Sequence, residues 1–495
     1  MHLLQFLSIT SLILREHLAY AQYEDLFAGF NSTYSVTSTQ IATSELTAGD
    51  VNDLQVATRY DLSQLANGGV SQDAFYQLPP LTNTTGPLQP GKLLKVQKFT
   101  DASNFSLPAN TALSRIMYTT TNANGTVIPA TAFIMWPFQP KQFQSTKPRC
   151  NGTINKAPVI LWTHGTAGIA AEAAPSANRA LWYGVDVVFP LVLEGYAVIA
   201  PDYAGLGLSR SWNGDEIPHQ FGHSHTMARD ALYSMKAALE AFPDTLQERF
   251  VVMGHSQGGG VAWAVAEALA AEKRRFGAIA DGYLGSIPAS PVVDIFNTVP
   301  QNSPIFVGSA LKSIFPTFQL SDWFTDVGIQ RALLLKNSLG GLPNSAFILF
   351  KNASQIIKPS FNETWYVDAF AQIANPGRRE FKGPMLVLQG ASDTLVTYDL
   401  VNRTVQETCD VNPDGDLAFH VVNGVSHVPL LDATRQVWMK WIEDRFEGKP
   451  LQEAGCVKTI VDSWLPLDRY ILSGSSYPQW IGSEAKWAYG ALLNN

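Results

Sequence analysis

One serine of this chain lies in a pattern that suits nucleophilic chemistry. Ser256 stands in the segment Gly254-His255-Ser256-Gln257-Gly258, which follows an apolar run from Phe250 to Met253 and precedes a helical pattern from Gly260. A nucleophile on a sharp turn between a strand and a helix needs glycines beside it, because larger side chains would collide with the adjoining elements. We therefore predict that Ser256 is a catalytic nucleophile.

A nucleophilic serine needs a base that takes its proton and an acid that fixes the tautomer of that base. Two later loops supply candidates, since the apolar run 385–388 leads into Asp393 and the run 417–422 leads into His427. We predict Asp393 as the orienting acid and His427 as the general base. Asp399 is the nearest alternative acid.

The tetrahedral intermediate of such a reaction carries an oxyanion, which requires two preorganised hydrogen-bond donors. We expect the backbone N–H of Gln257 to be one donor. The second is expected from the loop 163–168, through Thr166 or alternatively Gly165, although a plain glycine turn would show the same pattern. The similar triplet Gly222-His223-Ser224 has no preceding strand and no glycine two positions after its serine, so we discount it.

The surrounding sequence alternates short apolar runs with helix-length amphipathic stretches. Buried parallel strands are indicated at 158–162, 196–200, 250–253, 385–388 and 417–422, and helices at 226–241 and 260–273. Before them, runs at 93–96, 114–118 and 132–136, with a turn at 122–125, indicate strands joined by a hairpin. This pattern predicts an α/β fold, with a mostly parallel central sheet and helices on both faces. Sites in such sheets lie beyond the carboxyl ends of the strands.

The texture of the chain suggests five segments. Residues 1–21 are expected to be a signal peptide, 22–91 a polar N-terminal arm and 92–290 the first part of the core. Residues 291–379 show helical periodicity without a convincing core strand, so we interpret them as an inserted, mainly helical cap. Residues 380–495 complete the core and add a C-terminal extension.

The N-terminus and the sequons indicate secretion. An apolar run from Leu3 to Leu14, too short to span a bilayer, is followed by the cleavage motif Ala19-Tyr20-Ala21. Eight N-x-S/T sequons are candidate glycosylation sites, at Asn31, Asn83, Asn104, Asn124, Asn151, Asn352, Asn362 and Asn402. Three cysteines allow one disulfide and one free thiol, and we favour the pairing of Cys409 with Cys456 over those with Cys150.

The composition limits the classes of ligand. Hydrophobic residues make up 46% of the chain and charged residues 15%, which is typical of a large apolar core rather than of disorder. The net charge of −8 comes without a basic cluster, so we expect no nucleic-acid partner and a small neutral or lipid ligand. His219, His223 and His225 cluster without a Cys or Glu to complete a zinc site, so we expect no metal and no cofactor.

Together these features resemble the α/β-hydrolase superfamily over residues 92–445. The resemblance rests on the loop His164-Gly165-Thr166-Ala167-Gly168, the segment 201–207, the motif around Ser256, and the late Asp393 and His427. The signal peptide, the arm and the long cap before the acid resemble fungal secretory lipases of the lipase A type. The resemblance implies a secreted serine hydrolase that transfers an acyl group from an ester to water, with a cap that shapes an apolar pocket.

Two other functions remain compatible with the sequence. A serine exopeptidase would use the same triad on the same fold. Peptidases of this kind usually add a carboxylate pair in the cap, and residues 291–379 contain no obvious Glu-Glu pair. A catalytically silent binding protein is the third possibility, although such proteins typically lose the serine or the histidine.

Overall fold

A computed structural model describes residues 34–81, 88–143, 156–298 and 303–472 of the chain. The predicted signal peptide, Cys150 and the sequons at Asn31, Asn83 and Asn151 lie outside these residues. None of the described helices combines the length and the apolar character that a membrane span requires.

A single sheet of ten strands runs through the described part of the chain. The strands are β1 (Leu93–Gln97), β2 (Ala112–Thr121), β3 (Val127–Trp136), β4 (Ala157–Thr163), β5 (Ala197–Pro201), β6 (Leu246–His255), β7 (Tyr283–Ala289), β8 (Met385–Gly390), β9 (Leu417–Val422) and β10 (Cys456–Val461). They lie in the order β1-β2-β3-β5-β4-β6-β7-β8-β9-β10. The pairings β1-β2, β2-β3 and β3-β5 are antiparallel and all others are parallel, so β4 to β10 end at one edge.

Fifteen α-helices accompany the sheet in the described ranges. They are α1 (Ser38–Thr43), α2 (Ala48–Ser63), α3 (Phe189–Leu193), α4 (Ser224–Ala241), α5 (Gln257–Ala271), α6 (Lys273–Ala280), α7 (Ser303–Leu311), α8 (Leu320–Trp323), α9 (Asp326–Ser338), α10 (Pro343–Leu349), α11 (Ala353–Ile356), α12 (Trp365–Ala374), α13 (Tyr398–Val411), α14 (Leu430–Ala433) and α15 (Arg435–Glu447).

Helices cover both faces of the sheet. Side chains of a strand alternate between faces, so Val159 of β4 joins the apolar cluster that includes Trp263 of α5. Its neighbour Ile160 joins the opposite cluster, which includes Trp438 of α15. A mostly parallel sheet between two helical layers confirms the predicted fold class.

Two strands, β7 and β10, are not predicted from the sequence. Strand β7 contains Gly285 and Pro288, residues that argue against a central strand. Pro288 has no N–H, and its backbone nitrogen faces β8. On either side of it, Ser286 N–H donates to the carbonyl of Pro384, just before β8, and Ser290 N–H donates to that of Leu388. Strands β7 and β8 pair only at Ser286 and Ala289. The sheet therefore accommodates Pro288 because β7 and β8 pair at fewer positions than the other parallel strands do. Strand β10 is a mostly exposed edge strand without an apolar run.

The N-terminal region packs on the inserted helices. Helix α2, which the sequence analysis does not predict, lies against α10 and begins at a capping box formed by Thr47 and Asp50. Buried Asp61 of α2 accepts from the side-chain amide of Asn344 at 2.7 Å and from the backbone N–H of Ser345 at 3.0 Å. These contacts join the residues before β1 to those between β7 and β8.

The buried carboxyl group of Glu267 joins the far end of the inserted helices to α5. The Glu267 side chain is 3% exposed, and its Oε2 lies 3.5 Å from Nη1 of Arg379 and 3.6 Å from Nε2 of His225. Its Oε1 accepts from the backbone N–H of Gly377 at 2.6 Å. Burial raises the pKa of Glu267 to about 8, against the opposing effect of Arg379.

Glu267→Gln is expected to flatten a loss of stability that the wild type shows as the pH rises from about 4.5 to about 8. The unfolded chain releases this proton near pKa 4.5 and the folded chain near 8. The folded state thus binds more protons between these values, and stability is lost as the pH rises through that window, by up to about 1.4 kcal/mol per pH unit. Melting temperatures of wild type and variant between about pH 5 and pH 9 measure the difference.

The matched control is Glu272→Gln, at the end of the same helix, where the carboxylate forms half-exposed ion pairs with Arg229 and Arg275. The melting temperature of this control should fall with rising pH as that of the wild type does. An equally steep decline in Glu267→Gln would show that Glu267 does not titrate in this window.

Candidate active site

Ser256 occupies a strained turn between β6 and α5. Its backbone has φ 59° and ψ −124°, a combination that costs a non-glycine residue free energy. A Cβ at Gly258 would overlap the carbonyl oxygen of Thr163, so this position must be glycine for α5 to approach β4. The turn is held by hydrogen bonds from Ser256 N to Ala289 O at 2.9 Å and from Val292 N to Ser256 O at 3.0 Å.

This turn exposes the serine selectively. Within residues 250–269, all of which the structure describes, Ser256 is the one residue that is not buried. Ser256 is therefore partly accessible where its neighbours are not. The motif that suggested a nucleophile from the sequence thus presents that side chain at the carboxyl end of a central strand.

The predicted acid and base meet at the same edge of the sheet. Asp393 follows β8 and His427 follows β9, and Nδ1 of His427 donates to Oδ2 of Asp393 at 2.7 Å. The other carboxylate oxygen accepts from the backbone N–H groups of Leu395 and Val396, both at 2.9 Å. Burial raises the pKa of Asp393, but the attraction and hydrogen bond of His427 outweigh it, so the net pKa is lowered. Asp393 is thus an ionised acceptor that fixes Nδ1 of His427 as the protonated nitrogen.

The predicted nucleophile, Ser256, and the predicted base, His427, are linked through a neighbouring residue rather than by a direct hydrogen bond. Among the described residues the Ser256 hydroxyl makes no hydrogen bond to His427. Nε2 of His255, the residue before Ser256, instead contacts the backbone oxygen of His427 at 3.0 Å, and the two imidazole rings lie 4.5 Å apart. Catalytic hydrogen bonds are often long without substrate and tighten in the complex. The sequence alone predicts no role for His255.

The predicted oxyanion donors flank this position. Gln257 is the first residue of α5, and the first N–H groups of a helix have no acceptor within it. Strand β4 lies beside β6, so the loop 163–168 adjoins the turn at Ser256. Within residues 157–169 Thr166 is the one residue that is not buried, whereas Gly165 is buried. Thr166 is therefore better placed than Gly165 to meet a substrate.

The side chain of Gln257 is unusual for a buried amide. It is 2% exposed, and neither its Oε1 nor its Nε2 has a hydrogen-bond partner among the described residues. Buried polar groups in proteins are nearly always paired. The side-chain amide beside the predicted nucleophile is thus left without a partner among the described residues.

The alternative residues take no part in the hydrogen bond between Asp393 and His427. Asp399 is exposed in the first turn of α13. Ser224 is the first residue of α4 and is buried. His223 caps that helix by accepting from the backbone N–H of Thr226. In the described ranges no group of three His, Cys, Asp or Glu side chains is arranged to hold a metal ion.

A cavity of about 250 Å³ lies between the core and the inserted helices. Residues 169–172, which directly follow the loop 163–168, line one side of it. Ala310, Lys336 and Gly340 line the other side, and Ser256 is not among its lining residues. The residues that follow the loop of Thr166 therefore line a partly open cavity beside the inserted helices.

The remaining predicted residues are on the surface of the described structure. Cys409 and Cys456 form a disulfide between α13 and β10, the pairing that the sequence analysis favours. Four of the sequon asparagines are exposed, namely Asn104, Asn124, Asn352 and Asn362. Asn402 is half-buried, and its Oδ1 accepts from Lys458 at 2.8 Å.

One protein-family model matches the core of this chain. The model of the alpha/beta hydrolase family matches residues 159–438, which is more than half of the chain. Curated protein sequences give no significant match.

Several solved structures share the fold at low sequence identity. The closed state of Candida antarctica lipase A has a TM-score of 0.61 at 15% identity, covering 79% of this chain and 90% of its own. The rice cell wall degrading esterase LipA from Xanthomonas oryzae has a TM-score of 0.53 at 18% identity, covering 73% and 100%. A putative hydrolase from Legionella pneumophila has a TM-score of 0.51 at 16% identity, covering 72% and 97%. At such identities these likenesses establish the fold alone.

Proposed function

Because this chain belongs to the α/β-hydrolase family, we propose that it is a serine hydrolase that cleaves carboxylic esters through an acyl-enzyme on Ser256. The observation that carries the proposal is the 2.7 Å hydrogen bond from His427 Nδ1 to Asp393. That bond leaves Nε2 of His427 unprotonated and able to accept a proton. It lies at the sheet edge to which β6 also brings the accessible Ser256.

In the first half of the proposed reaction, Ser256 Oγ attacks the ester carbonyl carbon while its proton passes to Nε2 of His427. Ionised Asp393 stabilises the imidazolium that forms. The oxyanion accepts hydrogen bonds from the backbone N–H of Gln257 and from Thr166. The carbon–oxygen bond to the alcohol then breaks as His427 gives the proton to the departing oxygen, which leaves an acyl ester on Ser256.

In the second half, water attacks the acyl-enzyme and His427 takes a proton from it. The new tetrahedral intermediate uses the same donors. Its collapse breaks the bond to Ser256 Oγ, which regains its proton from His427, and releases the carboxylic acid. The net change is hydrolysis of one ester by one water.

We propose a neutral small-molecule or lipid ester as the substrate and residues 291–379 as the cap over it. The net charge of −8 without a basic cluster favours an uncharged ligand. The cavity of about 250 Å³ beside residues 169–172 supplies room under the inserted helices for part of such a molecule. The lipase and the cell wall degrading esterase that share the fold act, by their names, on esters.

A panel of p-nitrophenyl esters of increasing acyl length, run beside aminoacyl anilides, tests this proposal. We expect hydrolysis of the esters and none of the anilides. The acyl length with the highest kcat/KM separates a lipase from an esterase. Cleavage of the anilides in preference to the esters would instead favour the exopeptidase.

We also propose that the protein is secreted and N-glycosylated. The motif Ala19-Tyr20-Ala21 after a short apolar run supports cleavage of a signal peptide. The four exposed sequon asparagines and the disulfide suit an oxidising secretory compartment. Endoglycosidase digestion should lower the mass of the protein recovered from the medium, and an unchanged mass would contradict glycosylation.

A further inference from the structure

We propose that Tyr183 and His255 are positioning residues, which fix the backbone of His427 relative to Ser256 through a chain of buried hydrogen bonds. The inference rests on the proposed function, because it assigns His427 the role of general base. Neither residue belongs to the triad or donates to the oxyanion. Tyr183 lies in the segment between the loop 163–168 and β5.

The hydrogen bonds define one arrangement of protons. His255 Nε2 lies 3.0 Å from the backbone oxygen of His427, and a carbonyl oxygen can only accept. Nε2 therefore carries the proton, and Nδ1 of His255 is the acceptor. The Tyr183 hydroxyl, 2.9 Å from Nδ1, donates to it. Loss of the tyrosine hydroxyl would remove the group that holds His255 in this tautomer.

His255 can serve in this way because it stays neutral. The side chain is fully buried, and burial, followed by the proximity of His427, lowers its pKa to about 3. A charged ring 4.5 Å from His427 would oppose the imidazolium that forms during the reaction. A neutral ring supplies the hydrogen bond without that repulsion.

The position of His255 in the chain makes the link geometrically tight. It directly precedes Ser256, so one peptide unit separates the nucleophile from the residue that donates to the backbone oxygen of His427. The backbone of the base and the backbone of the nucleophile are thus tied by one hydrogen bond and one covalent step. A shift of the His427 loop would break that hydrogen bond inside the protein.

The segment that delivers Tyr183 is strained. Leu181, Trp182 and Tyr183 have φ values of 57°, 41° and 66°, three successive non-glycine residues in the left-handed region. Each such residue costs free energy and persists only where its surroundings determine its conformation. The Tyr183 ring packs 5.7 Å from that of Trp162 and 5.4 Å from that of His255.

The Tyr183 hydroxyl also touches the loop that holds the second oxyanion donor. A Cβ added to Gly165 would overlap this hydroxyl and would lie 2.9 Å from Cζ of Tyr183. One side chain therefore contacts both the loop of Thr166 and the residue that holds His427. This placement explains why a strained backbone is kept here.

Steady-state kinetics of Tyr183→Phe, His255→Phe and the double variant test the proposal. We expect Tyr183→Phe to lower kcat about 10-fold and His255→Phe about 100-fold, with KM nearly unchanged. The double variant should match His255→Phe, because Tyr183 acts through His255. His255→Gln, whose amide can donate to His427 and accept from Tyr183, should recover much of the loss.

Tyr118→Phe is the matched control, since it removes another buried tyrosine hydroxyl, which donates to Asp230 O at 2.9 Å in a different part of the sheet. It should change the melting temperature as Tyr183→Phe does and leave kcat alone. A Tyr183→Phe enzyme with wild-type kcat, or a double variant whose losses multiply, would overturn the proposal. If His255→Phe does not fold, Tyr183→Phe and His255→Gln carry the test.

The rate of inactivation by a fluorophosphonate separates this inference from the proposed function. In the variants it should fall in parallel with kcat, because it reports the same nucleophile and base. A wild-type protein that is neither inactivated nor active on esters would refute the proposed function itself. An active wild type with unaffected variants would refute only the positioning role.

Discussion

Ser256→Ala is expected to lower ester turnover by roughly 10³-fold to 10⁶-fold while the protein still folds. The substitution removes one oxygen, and with it the atom that forms the acyl-enzyme. Alanine meets the same backbone constraint at φ 59° as serine does, so the turn should keep its shape. Steady-state hydrolysis of the best ester of the panel, beside a thermal melt, measures both effects.

The control for this prediction is Ser224→Ala. Ser224 follows a similar Gly-His pair, but it is buried at the start of α4. The control should keep its turnover. Retention of activity by Ser256→Ala would assign the chemistry to another nucleophile.

Asp393→Asn is expected to lower kcat by roughly 10³-fold to 10⁴-fold with a smaller change in KM. The carboxylate accepts from Nδ1 of His427 at 2.7 Å and thereby keeps Nε2 free for the serine proton. An asparagine can turn its amide N–H toward Nδ1, which would place the imidazole proton on Nε2, where it blocks base catalysis. The kcat and KM of the variant with the same ester give the measurement.

Asp399→Asn provides the comparison, because Asp399 is the alternative acid in the sequence and is exposed in the first turn of α13. It should leave kcat within about two-fold of the wild type, as surface changes usually do. If Asp399→Asn is the damaging variant and Asp393→Asn is not, the assignment of the acid is wrong.

The sequence is informative where chemistry and regular structure restrict the same residues. The segment around Ser256 needs its glycines, and each of Asp393 and His427 follows an apolar run that ends at the same sheet edge. Parallel strands with continuous apolar runs can be recognised without knowledge of their neighbours. The fold class and the cluster formed by Asp393 and His427 can therefore be predicted from the order of the residues alone.

Other elements depend on tertiary contacts that leave no local pattern. Strand β7 is recognisable only once β6 and β8 are seen to accept its Gly285 and Pro288. Helix α2 is polar along much of its length and finds its partner in α10, almost three hundred residues later in the chain. The free energy that stabilises these two elements comes from tertiary packing, which the hydrophobic periodicity of the sequence does not reveal.

Tyr183 is the residue of the candidate site that has the weakest signal in the sequence. A run of three left-handed residues normally contains glycine or asparagine, and Leu181-Trp182-Tyr183 contains neither. His255 carried a weak signal, since it lies inside the motif of the nucleophile. Its contact with the backbone of His427 depends on the approach of β6 and the loop after β9.

Covalent labelling of the folded protein with a fluorophosphonate, followed by peptide mass spectrometry, tests the central claim most directly. A reactive serine hydroxyl displaces fluoride from the probe and keeps the phosphonyl group, so the adduct marks the nucleophile. We expect one adduct, on the peptide that contains Ser256, which is absent in Ser256→Ala and present in Ser224→Ala. Folded wild-type protein that hydrolyses esters but shows no adduct on Ser256 would contradict the account.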